Sequence, residues 1–299
     1  MLFRKLYQYK NLYNLKNTHL KHVFELLLAT LFISTSGVLG KYIEMPPPVI
    51  VWWRSSLAMV FLFVYCKYKN INLKITSGKD VLTFILGAVF MAAHWITYFY
   101  ALKLSNVALG MLSLYTFPVI TALLEPVFLK TKFNPIHIVL GILVLLGVYI
   151  LAPQFNLESS HVQGIGFGLI SALFFSLRIL IMKQHVAKYN GTMLMFYQVL
   201  LITILLAPTL FLMDSSGIET QYPYVLLLAL LTTAIGHTLM VKKFSYFSAS
   251  TASIISSVQP IFGIILAFFF LSEIPTLNTF LGGLLILSTV IIESIRSKK

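Results

Sequence analysis

Residues 94–132 read HWITYFYALKLSNVALGMLSLYTFPVITALLEPVFLKTK. This is the end of one apolar helix, a short break at 103–106, and a second apolar helix. Within it sit His94, Trp95, Tyr98, Tyr115, Pro118 and Glu125. Polar and ionisable groups inside an apolar run are costly and need a reason, either packing or function.

The surrounding composition sets the solvent. Of 299 residues, 58% are hydrophobic and only 10% charged, and the mean hydropathy is +0.88. A soluble domain carries about 25% charged residues. In lipid, helices and closed barrels are the spanning structures. Long continuous apolar runs favour helices over the short alternating segments of a barrel. The net charge of +13 invites a nucleic-acid reading, but the basic residues lie in short tracts between apolar runs, where membrane topology accounts for them. One cysteine, Cys66, excludes an internal disulfide and a cysteine metal cluster.

Residues 1–22 are basic and read as a cytoplasmic tail. Ten apolar runs follow, at 23–43, 48–66, 81–102, 105–128, 135–152, 164–182, 192–213, 223–241, 248–271 and 276–294. Each approaches the ~20 residues a spanning helix needs. The first is expected to stay as a signal anchor. With the N-terminus inside and one crossing per run, eighteen of the 22 Lys and Arg residues fall on the cytoplasmic side. Lys41 and Lys103 fall outside, and Arg54 and Arg178 within runs. That asymmetry predicts cytoplasmic N- and C-termini.

The second half repeats the first. One constant shift lays Pro118 on Pro260, Tyr115 on Ser257, Ala108 on Ser250 and Gly141 on Gly283. With one residue of slip, His94 meets His237. Five runs per copy is an odd number, so the copies enter the membrane from opposite sides. Inverted repeats with a midplane site are a plan of secondary transporters. The expected fold is an all-α membrane protein of ten transmembrane helices, arranged as two inverted five-helix repeats, 23–152 and 164–294.

Trp53-Arg54, the run HWITYFYALKLSNVALG leading to Pro118, then YFSASTASIISSVQP, Glu273 and Gly282-Gly283, in this order and in both halves, resemble the EamA type of the drug/metabolite transporter superfamily. The resemblance extends over nearly the whole chain from about residue 23. It implies a permease whose central cavity is lined by spans 1, 3, 4, 6, 8 and 9, with amino-acid-like metabolites as cargo. One departure stands out. Where the family places a glutamate after each central proline, the second half has Glu273 and the first has Thr131, with Glu125 earlier.

Several residues carry two readings. Arg54 is either a snorkelling anchor beside Trp52 and Trp53 or a cavity cation for a substrate carboxylate or phosphate. His94 is either a neutral, hydrogen-bonded core histidine or a proton relay. Trp95 and Tyr98 could stack on a substrate. Tyr115 joins Ala108, Met111, Pro118, Ala122 and Glu125 on one helical stripe, matched on span 9 by Ser253, Ser256, Pro260 and Gly263 beside Gln259. Pro118 and Pro260 are hinge candidates, or packing kinks. Tyr197, Gln198 and His237 occupy second-half positions equivalent to Arg54 and His94. Glu125 is either paired at the interface with Lys130 or Lys132, or a proton-coupling group. Arg178 either snorkels or joins Glu125 as an inner gate.

The sequence has no Walker phosphate loop and no HExxH. No cofactor, metal or catalytic residue is expected. The function read from these features is secondary transport of a small metabolite by alternating access in a bacterial inner membrane, with proton coupling and passive uniport as the two candidate drives. Its partners are the substrate and membrane lipid rather than nucleic acid, as a monomer or homodimer. The alternative is a membrane-embedded enzyme or sensor for a lipid or hydrophobic ligand.

Overall fold

The computed structural model describes residues 2–129, 132, 134–151, 156–186, 188–243, 246 and 255–296. Every regular element among them is helical. α1 (Leu2–Tyr42) runs through the basic head into the first apolar run. α2 (Pro47–Tyr68) starts on prolines, whose fixed φ and missing N–H suit a first helical turn. An extended strap leads to α3 (Gly78–Leu104).

The opening stretch continues as α4 (Val107–Leu114) and α5 (Phe117–Leu129). Asn106 caps α4, its side chain accepting the Leu109 N–H at 2.8 Å. Sequence alone reads 105–128 as one run kinked at Pro118, but the helix breaks outright at 115–116. The reason is local. Pro118 has no N–H for the carbonyl four residues back, Leu114, and its ring collides with that carbonyl. The same device recurs in the second half, where α12 (Gln259–Leu271) has Pro260 in its first turn.

Between them lie α6 (Ile136–Leu151), α7 (Ser160–Val186), α8 (Gly191–Leu206), α9 (Thr209–Leu212) and α10 (Ile218–Leu227). α10 runs into a π-helical segment, Leu228–His237, and then α11 (Thr238–Lys243). α13 (Leu277–Arg296) ends the fold. Seven helices are long and apolar enough to cross a membrane, and Ile136–Leu151, Gln259–Leu271 and Leu277–Ile292 are shorter apolar helices. Leu145, Ile142 and Phe269 lie exposed on outward faces, as lipid-facing side chains do.

The packing pairs recur when the halves are exchanged. α3 packs most extensively on α7, as α1 packs on the π segment. α4 and α5 pack on α7, as α12 packs on α1. α2 lies against α8, and α6 against α13. At the last contact two glycines meet. A Cβ on Gly282 would stand 2.7 Å from the Gly147 carbonyl oxygen. Small residues permit this close backbone approach.

A buried cationic and aromatic centre as the candidate functional site

Arg54 is 0% exposed. Its side chain points into the protein, so it does not snorkel. Nε and Nη2 donate to Thr233 Oγ1 at 3.1 and 2.8 Å. The guanidinium carbon lies 3.9 Å from the Trp95 ring centroid and 5.5 Å from that of Phe99, a cation–π arrangement. Nη1 is buried and has no hydrogen-bond partner. Thr233 belongs to the π segment, and such wide turns are frequent at functional sites. The same segment carries His237, whose ring lies 5.5 Å from Trp95.

His94 joins α3 to α7. Its Nδ1 lies 2.7 Å from Ser171 Oγ, and that hydroxyl donates to the His94 carbonyl at 2.9 Å. The single hydroxyl hydrogen is therefore committed, so Nδ1 carries the ring proton. In the neutral ring Nε2 is then an acceptor. The His94 ring lies 4.6 Å from Phe175 and 6.2 Å from Tyr98. Tyr98 faces Ser36 of α1.

Arg178 sits on the other side of this group. It is 6% exposed. Its Nη2 and Nε donate to Gln198 Oε1 at 2.7 and 3.2 Å. Its guanidinium lies 5.8 Å from the Phe175 ring. His94 and His237 each lie within the electrostatic reach of both guanidiniums. Arg54, Trp95, His237, His94 and Arg178 thus form one centre, built by α2, α3, α7 and the π segment.

The two helix breaks are bonded to each other beside it. The Tyr115 hydroxyl shares its one hydrogen between the Ser256 carbonyl at 2.6 Å and Gln259 Oε1 at 2.9 Å. Ser256 is four residues before Pro260, so its carbonyl is the one the proline leaves free. Ser34 of α1 donates to the Gln259 carbonyl at 3.1 Å.

Two expected site residues lie elsewhere. Tyr197 donates to the Leu73 carbonyl at 2.7 Å and packs near the strap before α3. Glu125 accepts from Lys183 Nζ at 2.6 Å, with 35% and 46% of the two side chains exposed. The Arg178–Glu125 pair does not form, because Arg178 turns inward to Gln198. Among the described residues the partner is Lys183 rather than Lys132. Lys130, Thr131, Ser250 and Ser253 lie outside the described residues. Sequence reasoning missed Thr233, Ser171, Phe175 and Ser36, ordinary residues in apolar runs that only the fold brings to the centre.

It also missed a polar network at the Glu273 end. Glu273 Oε2 accepts the Val107 N–H at 2.8 Å, a favourable place for a carboxylate at a helix N-terminus. Half-burial pushes its carboxyl above the ordinary range, against the downward pull of that N–H and of Lys41. Lys41 Nζ donates to the Ser105 carbonyl at 2.6 Å, and Lys103 Nζ to the Ile43 carbonyl at 2.6 Å. A cleft of about 580 Å³ opens here, lined by Lys41, Tyr42, Glu44, Gln221, Tyr224 and Glu273 among others. At the opposite end Asp80 Oδ2 accepts from Lys188 Nζ and Tyr189 OH, both at 2.5 Å. Among the described residues no group of three His, Cys, Asp or Glu is placed to hold a metal ion.

Apolar helices long enough to cross a bilayer, closed around a buried polar centre, define an integral membrane protein of the transporter kind. The chain belongs to the EamA-like transporter family, whose pattern matches residues 20–152 and again 162–295. It is 25% identical over 279 residues to the pseudopaline exporter CntI of Pseudomonas aeruginosa, covering 91% of this chain and 96% of that one. An uncharacterized transporter of Clostridium kluyveri is 26% identical over 293 residues, 92% of this chain and 93% of its own. A solved crystal structure, described simply as that of a protein, superposes with a TM-score of 0.67 at 16% identity, covering 93% of this chain and 98% of that one. That likeness speaks for the fold.

Proposed function

We propose that the protein is a secondary transporter that exports a small, carboxylate-bearing metabolite of the amino-acid class across a bacterial inner membrane. The observation that carries this reading is Arg54: wholly buried, without a carboxylate partner, and with Nη1 unpaired. A guanidinium fork suits a carboxylate, and intramembrane charges in such proteins mark substrate pathways. Export is supported by the likeness to an exporter over 91% of the chain.

Ten spans in two inverted halves supply the mechanism. The exchange-symmetric packing pairs support that arrangement. Rocking one half on the other opens the centre alternately to each side. The breaks before Pro118 and Pro260 let spans 4 and 9 bend as the halves move. The cleft at Glu273 is the outer vestibule. His94 and His237 are the candidates for proton coupling. Glu125, in an exposed ion pair with Lys183, is a tie at the inner face.

The test is counterflow in proteoliposomes against a panel of amino acids and related carboxylates. One or more are carried by the wild type, and Arg54→Gln lowers the rate at least about tenfold while eluting as the same monodisperse peak. An unchanged rate in Arg54→Gln returns Arg54 to a packing role. Transport equal with and without a pH gradient removes proton coupling and leaves a uniporter.

A further inference from the structure

The centre holds a second cation that the first carboxylate does not use. Arg178 is buried, and its partner is the neutral amide oxygen of Gln198. The chain has nine acidic residues. Glu25, Asp80 and Glu125 are taken by lysines. Glu273 caps Val107. Glu44, Glu158, Asp214 and Glu219 are on or near the surface. Of the acidic side chains described, none reaches Arg54 or Arg178. Two buried guanidiniums therefore stand at one centre with no acidic side chain among the described residues to balance them. Burying an uncompensated charge is strongly unfavourable, and burying two of the same sign together is worse. The aromatic faces of Trp95, Phe99 and Phe175 and the neutral acceptors Thr233 and Gln198 soften that cost without cancelling the charge.

The repeat gives the pair a geometric sense. Gln198 lies within a residue or two of the second-half position that the repeat lays on Arg54, and it carries Arg178 on its amide. Each half thus presents one guanidinium, the first directly from α2 and the second from α7 through α8. His94 and His237, which feel both charges, are the other exchanged pair.

We infer that the central site takes a dianionic substrate, one acidic group on Arg54 from the first half and a second on Arg178 from the second. This rests on the transporter reading above. It deepens it by fixing the substrate class as dicarboxylic metabolites rather than neutral or monocarboxylic amino acids. A substrate spanning both guanidiniums also ties the halves together, as an occluded state requires.

The experiment measures binding to purified protein by ligand-induced thermal shift, since a ligand of the folded state raises its apparent stability. The probes are L-glutamate beside L-glutamine, L-aspartate beside L-asparagine, and linear dicarboxylates from malonate to pimelate, each beside its monoamide. Wild type is expected to bind at least one dicarboxylate about tenfold or more tighter than the matching amide. Arg178→Gln removes that preference but still binds the monoamide, and Arg178→Lys restores part of it. Arg54→Gln removes binding of both. If wild type binds acid and amide equally, or Arg178→Gln keeps the preference, the dianion inference is wrong and the transporter reading stands. If no carboxylate of either kind binds, the Arg54 reading falls and the inference with it. Should Arg178→Gln fail to fold, a full acid preference in Arg178→Lys supports the inference and its absence, with amide binding intact, overturns it.

Discussion

At the scale of single residues, the molecule is arranged around charges that lack the obvious partner. Arg54 and Arg178 are held by rings and neutral oxygens, not by carboxylates. Glu273 is the reverse, a carboxylate held by a backbone N–H. Because half-burial raises its carboxyl above the ordinary glutamate value of 4.5, the docked arrangement binds its proton more tightly than a solvated one. The stability this contributes is full below pH 4.5 and is lost as pH rises through the raised value. Glu273→Gln keeps an oxygen for the Val107 N–H and removes the titration. Wild type should therefore lose apparent thermal stability relative to Glu273→Gln as pH rises from 4.5. The check is the difference between the two unfolding midpoints across the pH series. A difference that stays flat with pH shows that Glu273 does not titrate on undocking.

At the scale of elements, the breaks in α4–α5 and before α12 are the informative feature. Each is forced by a proline, and the two are joined where Tyr115 meets Ser256 and Gln259. Tyr115→Phe removes both bonds, leaving a freed carbonyl and a buried amide oxygen unpaired. An unsatisfied buried acceptor costs about 1–3 kcal/mol, so the thermal midpoint should fall. Because the bond joins the first half to the second, the variant should also shift the balance of open and closed states. Accessibility of a cysteine placed at the centre, read by maleimide labelling, should rise. An unchanged midpoint and labelling rate would make the bond incidental. Much of this was legible in the sequence: the prolines, their repeat and the polar stripe are read directly from spacing. The position of the break was not, since a proline acts on the carbonyl four residues back and the interruption falls before it. The facing of helices was not legible either. In lipid both sides of a helix are apolar, so hydropathy does not tell Arg54 pointing inward from Arg54 snorkelling. Thr233, Ser171 and Phe175 gave no signal, because their roles come from partners far away in the chain. Glu125 carried a clear charge signal, yet its partner, Lys183, was set by how α5 and α7 meet.

At the scale of the whole molecule, the exchange-symmetric packing and the distribution of charge support one topology. Lys67, Lys69, Lys74, Lys79, Lys183 and Lys188 gather at one end of the helices, where Asp80 and Glu125 tie α3 and α5 to α7 and to the turn after it. Lys41 and Lys103 at the other end turn their ammonium groups to backbone carbonyls, so little free positive charge is left there. The bias of Lys and Arg in the short segments between spans sets orientation during insertion. The Lys-rich end is therefore predicted to face the cytoplasm, and the Glu273 cleft the outside. Two exposed loop positions test this, Ser216 before α10 and Asn72 in the strap before α3. The native Cys66 is buried, so background labelling is low. In intact cells a membrane-impermeant maleimide should label Ser216→Cys and should reach Asn72→Cys only after permeabilisation. Labelling of Asn72→Cys from outside would invert the topology and make the Glu273 cleft the cytoplasmic entrance. Labelling of both from outside would mean an even number of crossings between them, against the five (spans 3 to 7) that two five-helix halves place there.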